Sequence, residues 1–366
     1  MVRLTRVQQQ ERTRTAVLAA AGEEFAEYGF ADAKIDRIAE RAELTRGAVY
    51  SNFPSKRALY LAVLADRSPA SPASPASPAS PASPGSPASP ASPGSPASLA
   101  DALGAFARVW LERLPLSGDS AAGGRLHLRS LTGVLTDDPG RAALGQLVRL
   151  EALLLALALE SLPPRPARRV RLAELVLTLL HGAAGLAETA PGAGDPFDVA
   201  RACEHLAAIA LPDWDPPHLP FAPPAHAADD AWTPPAPLTD QITGRPAGLD
   251  ADGVLVVLGA GRLAAAEEAV RAARPGEQVT VAVVTSDPAE TGRLIRLRVD
   301  DLVAVLRRVF ATLPAVRLVL DDRAVVAAAA GLPAAGDQAE AAARIRAGRI
   351  VARAHGRGAA HAAATA

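Results

Sequence analysis

The chain has one cysteine, one methionine, three tyrosines and three tryptophans among 366 residues. A single thiol, Cys203, excludes an intramolecular disulfide framework and any site built from several thiolates. Aromatics make up only 4% of the residues, so alanine, leucine and valine must supply most of the apolar mass. Lysine is almost missing: of 38 basic residues other than histidine, only Lys34 and Lys56 are lysines. The net charge of -1 gives no global basic field, and any nucleic-acid site has to be a local patch. The N-terminus lacks the apolar stretch of a secretory signal. The greasiest run, "LEALLLALALESL", is interrupted by Glu151 and Glu160 and is read as too short to span a bilayer. These absences lead us to expect a soluble, cytoplasmic protein with no membrane contact, no metal site and no cofactor.

Proline, by contrast, is concentrated. Residues 68–97 repeat Ser-Pro-Ala or Ser-Pro-Gly in ten triplets, and residues 212–234 form a second Pro-rich stretch. Proline donates no N–H and disfavours helix at the residue before it, so both stretches are expected to be extended linkers without regular structure. They separate three blocks: 1–67, 98–211 and 235–356. The tail 357–366 is expected to be disordered. As an extended rod or a coil, the first linker would weaken coupling between the blocks it joins, unless the helix before it still docks on the second block.

The first block reads as four short helices. Val17, Leu18, Ala21, Phe25 and Tyr28 share one face of the first, and Gly29 stops it. Thr45 caps the third and Ser55 the fourth. Residues 35–59, "IDRIAERAELTRGAVYSNFPSKRAL", form a helix-turn-helix whose second helix fits the major groove. Its exposed residues then include Arg46, Ala48, Tyr50 and Asn52. Arg46 suits guanine O6/N7 or a phosphate, Thr45 and Tyr50 offer hydroxyls to phosphates, and Ala48 suits a thymine methyl or the core. Lys56 stands at the start of the fourth helix, where its charge and the free N–H groups together suit one phosphate. Lys34 stands at the start of the second. Phe53 reads as a core aromatic.

The spaced motifs "YGF", "RIAERA", "ELT", "GAVYSNF" and "PSKRAL" resemble the TetR/AcrR family of transcriptional regulators over residues 12–64. The resemblance implies a ligand-responsive repressor that binds a palindromic double-stranded operator as a homodimer. Two positions depart from the family pattern. Glu43 stands where the turn glycine is usual, which demands φ > 0 of a residue with a side chain. Lys34 replaces a capping Ser or Thr.

The second block is helical throughout, with apolar residues three and four apart. The resemblance makes it the effector-binding and dimerisation bundle, and its last two helices would pair with their copies through Gly182, Ala183, Ala184 and Gly185. Trp110, His127, Arg129 and His181 are candidate liners of a pocket for an unknown small molecule, though each also suits an ordinary core or surface position. Cys203 and His205 lie two apart on a helix and point to different faces, which opposes a metal site.

The third block alternates β-branched runs with helical stretches, so the chain as a whole reads as multidomain: two all-α units followed by an α/β unit. "VLVVLGAGRLA" is a partial dinucleotide fingerprint whose third glycine is Ala264. The ordered motifs "PAPLTDQITGRPAGLDADGVLVVLGAG", "VAVVTSDPAE", "VRLVLDDRAVVAAAAGLP" and "AARIRAGRIVARAHG" resemble thioredoxin-like proteins, peroxiredoxins above all, over about 235–356. Such enzymes need a thiolate at the start of the helix after the first long strand, and this chain has "GAGRLAAAEEAV" there. An α/β domain that binds a nucleotide or a partner protein is the alternative role, and a redox enzyme is disfavoured.

Overall fold

A computed structural model of the chain describes residues 5–67, 96, 98–114, 126, 129–163, 168–190, 192–212, 215–333 and 336–366. The first linker, apart from Pro96, and His127 lie outside the described residues. The helical head comprises α1 (Arg6–Asp32), α2 (Ile35–Arg41), α3 (Arg46–Asn52) and α4 (Lys56–Asp66). Thr45 and Ser55 accept hydrogen bonds from the N–H groups of Ala48 and Ala58, as expected of N-caps. Val17, Ala21, Phe25, Ile38, Val49, Phe53 and Leu59 form the head's core. Tyr28, expected on that face, is half-exposed with the Arg37 guanidinium 4.1 Å from its ring. Gly29 leaves helical geometry at φ 72° and ψ 178°, so the first helix is interrupted there, as expected, before a short helical continuation to Asp32.

A helical bundle follows: α5 (Leu99–Leu111), α6 (Asp138–Glu160), α7 (Val170–Thr189) and α8 (Pro196–Leu206). α4 and α5 flank the first repeat, and Ala58–Leu64 of α4 is buried. The Tyr60 hydroxyl donates to the Ser130 carbonyl at 2.8 Å, so the last helix of the head is docked on the bundle. The reading that no run is long enough to span a bilayer needs correction. α6 and α7 are long and apolar enough to do so by length and composition, with window hydropathies of 1.8 and 1.4. Here α6 is the central helix of the packed structure, and Glu151 within it is ion-paired.

The α/β unit is a six-stranded mixed sheet: β1 (His226–Ala231), β2 (Gly253–Gly259), β3 (Gln278–Val284), β4 (Val316–Leu320), β5 (Glu340–Arg346) and β6 (Arg349–His355). The spatial order is β1-β6-β5-β2-β3-β4. β2, β3 and β4 are parallel, while β5, β6 and β1 each run antiparallel to their inner neighbour. β2 is buried along its whole length, which is why it reads as an unbroken apolar run. Four helices accompany the sheet: α9 (Ala266–Ala272), α10 (Arg293–Val309), α11 (Val325–Ala329) and α12 (Ala359–Thr365).

Alternation along the strands divides the core. Leu255, Val257, Ala282 and Val319 face a small cluster with Trp232 and α11. Val254, Val256, Val281 and Leu318 face the other side, where the apolar core runs on without a break into the bundle and the head. α10 lies within that continuous core and packs on α4, α5 and α6. It buries Leu294, Ile295, Leu297, Val299, Leu302, Val303, Val305 and Leu306, which is more than one face, as a helix covered on both sides must.

Two further expectations from the sequence are overturned. The stretch 212–234 is not without regular structure: its described part holds a 3-10 turn, Leu219–Phe221, and the edge strand β1. Residues 225–233 contain no proline, so their N–H groups are free to pair with β6. Asp229 and Asp230 meet Arg349 and Arg353, which charges the exposed edge. The tail is also ordered. Ala359, Ala360, Ala362, Ala363 and Ala364 of α12 are buried against the sheet and α9. Buried Arg344 donates to the carbonyls of Ala363 and Ala364 and pairs with Glu277 at 2.5 Å. Alanine's strong helix propensity and the need to cover β5 outweigh the fraying expected of a terminus. A chain ending at residue 356 should lose about 4 kcal/mol of stability, taking about 0.8 kcal/mol for each buried methyl. Chemical denaturation of the full and shortened chains measures this, and equal stabilities would contradict the packing of α12.

Candidate nucleic-acid interface and polar pocket

The helix-turn-helix is held by a buried carboxylate. Glu24 of α1 is fully buried and accepts from the Lys34 N–H at 3.0 Å and from Arg37 Nε at 2.6 Å. Arg41 reaches its second oxygen at 3.5 Å. Glu24 therefore takes the N-cap's own N–H, as the carboxylate of a capping box does, while Lys34 makes no side-chain cap to the first turn of α2. The sharp turn is made by Glu43 at φ 55°, in the left-handed region that the missing glycine implied.

This places α3 with Val49 buried and Thr45, Arg46 and Tyr50 exposed. The Arg46 guanidinium stands 5.6 Å from the Tyr50 ring and 3.5 Å from Asp36. Its pKa is raised by the Tyr50 hydroxyl and then by Asp36. Ala48 is half-buried, and the half-buried Asn52 donates from Nδ2 to the Ala48 carbonyl at 2.9 Å, so its amide is engaged within its own helix. The Lys34 side chain is exposed. Lys56 is less free than its position suggested. Its ammonium donates to the Ala31 carbonyl at 3.0 Å and lies 4.9 Å from the Phe30 ring, and burial lowers its pKa. The first turn of α4 also carries an anion from the α/β unit: Glu290 accepts from Ser55 and Arg57.

The residues singled out as pocket liners converge, with the exception of His127, which lies outside the described residues. The Trp110 and His181 rings meet edge-on at 5.3 Å, and Arg113 covers Trp110 at 4.0 Å. Glu151 of α6, fully buried, lies among them. The groups that fill the centre come from α10. Arg298 donates to both oxygens of Glu151 at 2.8 and 2.7 Å and to His181 Nε2 at 2.7 Å. Asp301 accepts from Arg129 and lies 3.7 Å from Arg113. Because an arginine only donates, the His181 imidazole must accept at Nε2 and carry its proton on Nδ1. Burial, then the Arg298 and Arg113 charges, lower its pKa to about 3. Burial likewise lowers Arg113 to about 10, and its Nη2 has no hydrogen-bond partner among the described residues.

The sequence reading missed Arg298 and Asp301 because they belong to a different unit. The signal that existed was Glu151, a carboxylate in an otherwise apolar helix, which requires a partner.

The dinucleotide-like glycines have a packing role. A Cβ on Gly259 would lie 2.3 Å from the Asp337 carbonyl, and one on Gly261 2.8 Å from the same atom. The loop at 336–338 thus occupies the space that a pyrophosphate would need. The helical turn that follows is docked on the bundle, where Gln146 accepts from the Ala264 N–H at 3.0 Å. Cys203 is buried on α8, and burial raises its pKa to about 11.

A protonated His181 would face Arg298 and Arg113. Its folded pKa lies below the usual 6.5, so the unfolded chain takes the proton first and stability falls as pH drops from 6.5 towards 3. His181→Gln keeps an acceptor for Arg298 and removes the titration. Its loss of stability between pH 7 and pH 5 should be smaller than that of the wild type by about 1–2 kcal/mol, measured by urea denaturation at both pH values.

Residues 17–63 match the family model of the bacterial regulatory proteins, tetR family. The chain is 47% identical over 57 residues to the HTH-type transcriptional regulator SrpR of Pseudomonas putida, covering 16% of this chain and 27% of that protein. It is 45% identical over 67 residues to the uncharacterized HTH-type transcriptional regulator TtgW, also of Pseudomonas putida, covering 18% and 49%. The matches thus span from about a quarter to about half the length of these relatives. NalD, the secondary repressor of the MexAB-OprM multidrug efflux pump in Pseudomonas aeruginosa, aligns in structure at 19% identity over 54% of this chain and 95% of that one. Its TM-score of 0.33 carries no argument about how the units are arranged. The match to the tetR family of bacterial regulatory proteins thus lies in the helix-turn-helix head, over residues 17–63.

Proposed function

We propose that the protein is a cytoplasmic transcriptional repressor that binds a palindromic double-stranded operator as a homodimer and answers to a small-molecule effector. The observation that carries this reading is α3 itself. Thr45, Arg46 and Tyr50 stand exposed on one side of a helix whose other side is anchored by Val49, within the segment that matches the family. Arg46 reads a guanine edge or a phosphate, Thr45 and Tyr50 bind phosphates, and Ala48 meets a thymine methyl. Asn52 reaches a base or phosphate once its intrahelical bond is given up. Lys34 and Lys56 hold phosphates beside the groove. Affinity then falls steeply with salt. Lys56→Ala should weaken binding equally on all sequences and lower the slope of log K against log salt by about one. Anisotropy titrations of operator fragments at several salt concentrations measure both quantities, and an unchanged slope would remove Lys56 from the interface.

The dimer is supported by the outer face of α7 and α8. A groove of about 350 Å³ there is lined by Thr178, Gly182, Ala183, Leu186, Pro196 and Val199. Among the described residues nothing lies within 4 Å of a Cβ placed on Gly182 or Gly185, and Phe197 is 78% exposed. Two copies meeting on this face would set two recognition helices about one DNA turn apart. Gly185→Arg has room in the single chain and should yield a folded monomer. Sedimentation velocity would show it, and a persisting dimer would move the interface elsewhere.

For the α/β unit we favour a thioredoxin-like, non-enzymatic regulatory domain. Three parallel strands followed by an antiparallel hairpin, in the order β4-β3-β2-β5-β6, support the resemblance to peroxiredoxins. The helical turn that would carry their thiol has arginine and alanine, and it is docked on the bundle. A second reading, in which this domain binds a small ligand or a partner protein, draws support from a polar cleft of about 630 Å³. Thr239, Arg296, Asp300, Arg307, Asp322 and Arg323 are among its lining residues.

A further inference from the structure

The polar pocket of the bundle is built like a receptor. Glu151 presents two carboxylate oxygens and His181 a ring nitrogen to a single point, and that point is filled by one planar group, the Arg298 guanidinium. A fork of fixed donors satisfies this acceptor set, whereas an ammonium, a point charge, would leave part of it unsatisfied. Beside it, Arg129 and Arg113 converge on one carboxylate, Asp301. Arg298 and Asp301 stand three apart on α10, so one turn of helix delivers both groups. Such a cluster is a poor way to glue two domains together. Buried ion pairs contribute little to stability compared with apolar packing of the same volume, although they are demanding about what they accept. The Arg113 Nη2 left without a hydrogen-bond partner among the described residues shows a pocket whose polar groups are not all satisfied by the present occupant.

We propose that the bundle pocket formed by Glu151, His181, Arg129, Arg113 and Trp110 is a binding site for a guanidinium group with a neighbouring carboxylate, and that Arg298 and Asp301 of the chain's own α/β domain are its resident, tethered ligand. A free effector for this pocket has to carry the same chemistry, an amidine or guanidine with an adjacent acid, and to displace α10. The displacement reaches the head, because α10 and the turn before it hold α4. Arg293 donates to the Ala58 carbonyl at 3.0 Å and lies 5.6 Å from the Phe53 ring, and Glu290 binds Ser55 and Arg57. The assignment of pocket and ligand stands without the DNA-binding reading above, since its test uses no DNA.

The test is chemical rescue in the full chain. Arg298→Ala empties the guanidinium half of the pocket. Trp110, packed against His181 and Arg113, reports on it through its emission, and Trp110→Phe identifies that signal. The emission of Arg298→Ala should shift to the red. Ethylguanidinium should restore it along a saturable curve, at a midpoint at least roughly tenfold below any effect of ethylammonium. Arg298→Ala combined with Glu151→Gln should not respond. Wild-type emission in Arg298→Ala, or equal rescue by the two cations, would overturn the proposal. If Arg298→Ala does not fold, Arg298→Lys decides the matter: it keeps the charge and loses the fork, so its emission should lie between the two states, and full wild-type emission would refute guanidinium recognition.

Discussion

The ion pair between Glu151 and Arg298 is the constraint around which the three units are arranged. A carboxylate in the middle of a long apolar helix cannot stay ionised in the core without a partner, and burial alone pushes its pKa upward. Arg298 supplies the partner across 147 residues of sequence. Once that contact is made, much else follows. α10 must lie along α6, the sheet must present its α10 face to the bundle, and the turn at 288–292 must reach the head. Two further contacts from α6 keep the same alignment: Gln146 with the Ala264 N–H, and Glu160 with Arg271. The α/β domain is therefore packed into the rest of the chain rather than hung from it.

The arrangement changes what each unit can do. In the head, Glu24 organises the helix-turn-helix from within, and Glu290 acts on α4 from outside. In the bundle, the Arg298 guanidinium sits between Glu151 and His181, while α7 and α8 carry an apolar groove on their outer face. In the α/β domain, the turn that follows β2 faces α6, where Gln146 accepts from the Ala264 N–H.

Much of this was legible in the sequence because it depends on local rules. Thr45 and Ser55 announce helix starts, Glu43 stands where a positive φ is needed, and the β-branched runs mark the strands. Trp110, Arg129 and His181 were singled out as pocket liners, and they do come together. What was not legible depends on contacts between distant segments. Nothing near Arg298 or Asp301 says that they enter another domain. β1 was hidden by the prolines around it, although residues 225–233 are free of them. α12 was hidden by its composition: a run of alanines at a terminus looks like a frayed tail until a sheet and a buried arginine are there to receive it. Gly259 and Gly261 suggested a phosphate loop, because close approach of backbone to backbone requires the same residue as close approach of backbone to phosphate.

The late position of α10 in the chain has a consequence for synthesis. At about 5–20 residues per second, roughly 7–30 s separate the appearance of Glu151 from that of Arg298. During that interval the head and the bundle exist with an unpaired carboxylate at their centre and an apolar surface that has nothing to cover it. The core cannot be completed from the N-terminus forward; it has to wait for α10. A chain cut short before α10 would carry α3 on a body whose core is open, because the segment that closes the fold also supplies the partner of its central carboxylate.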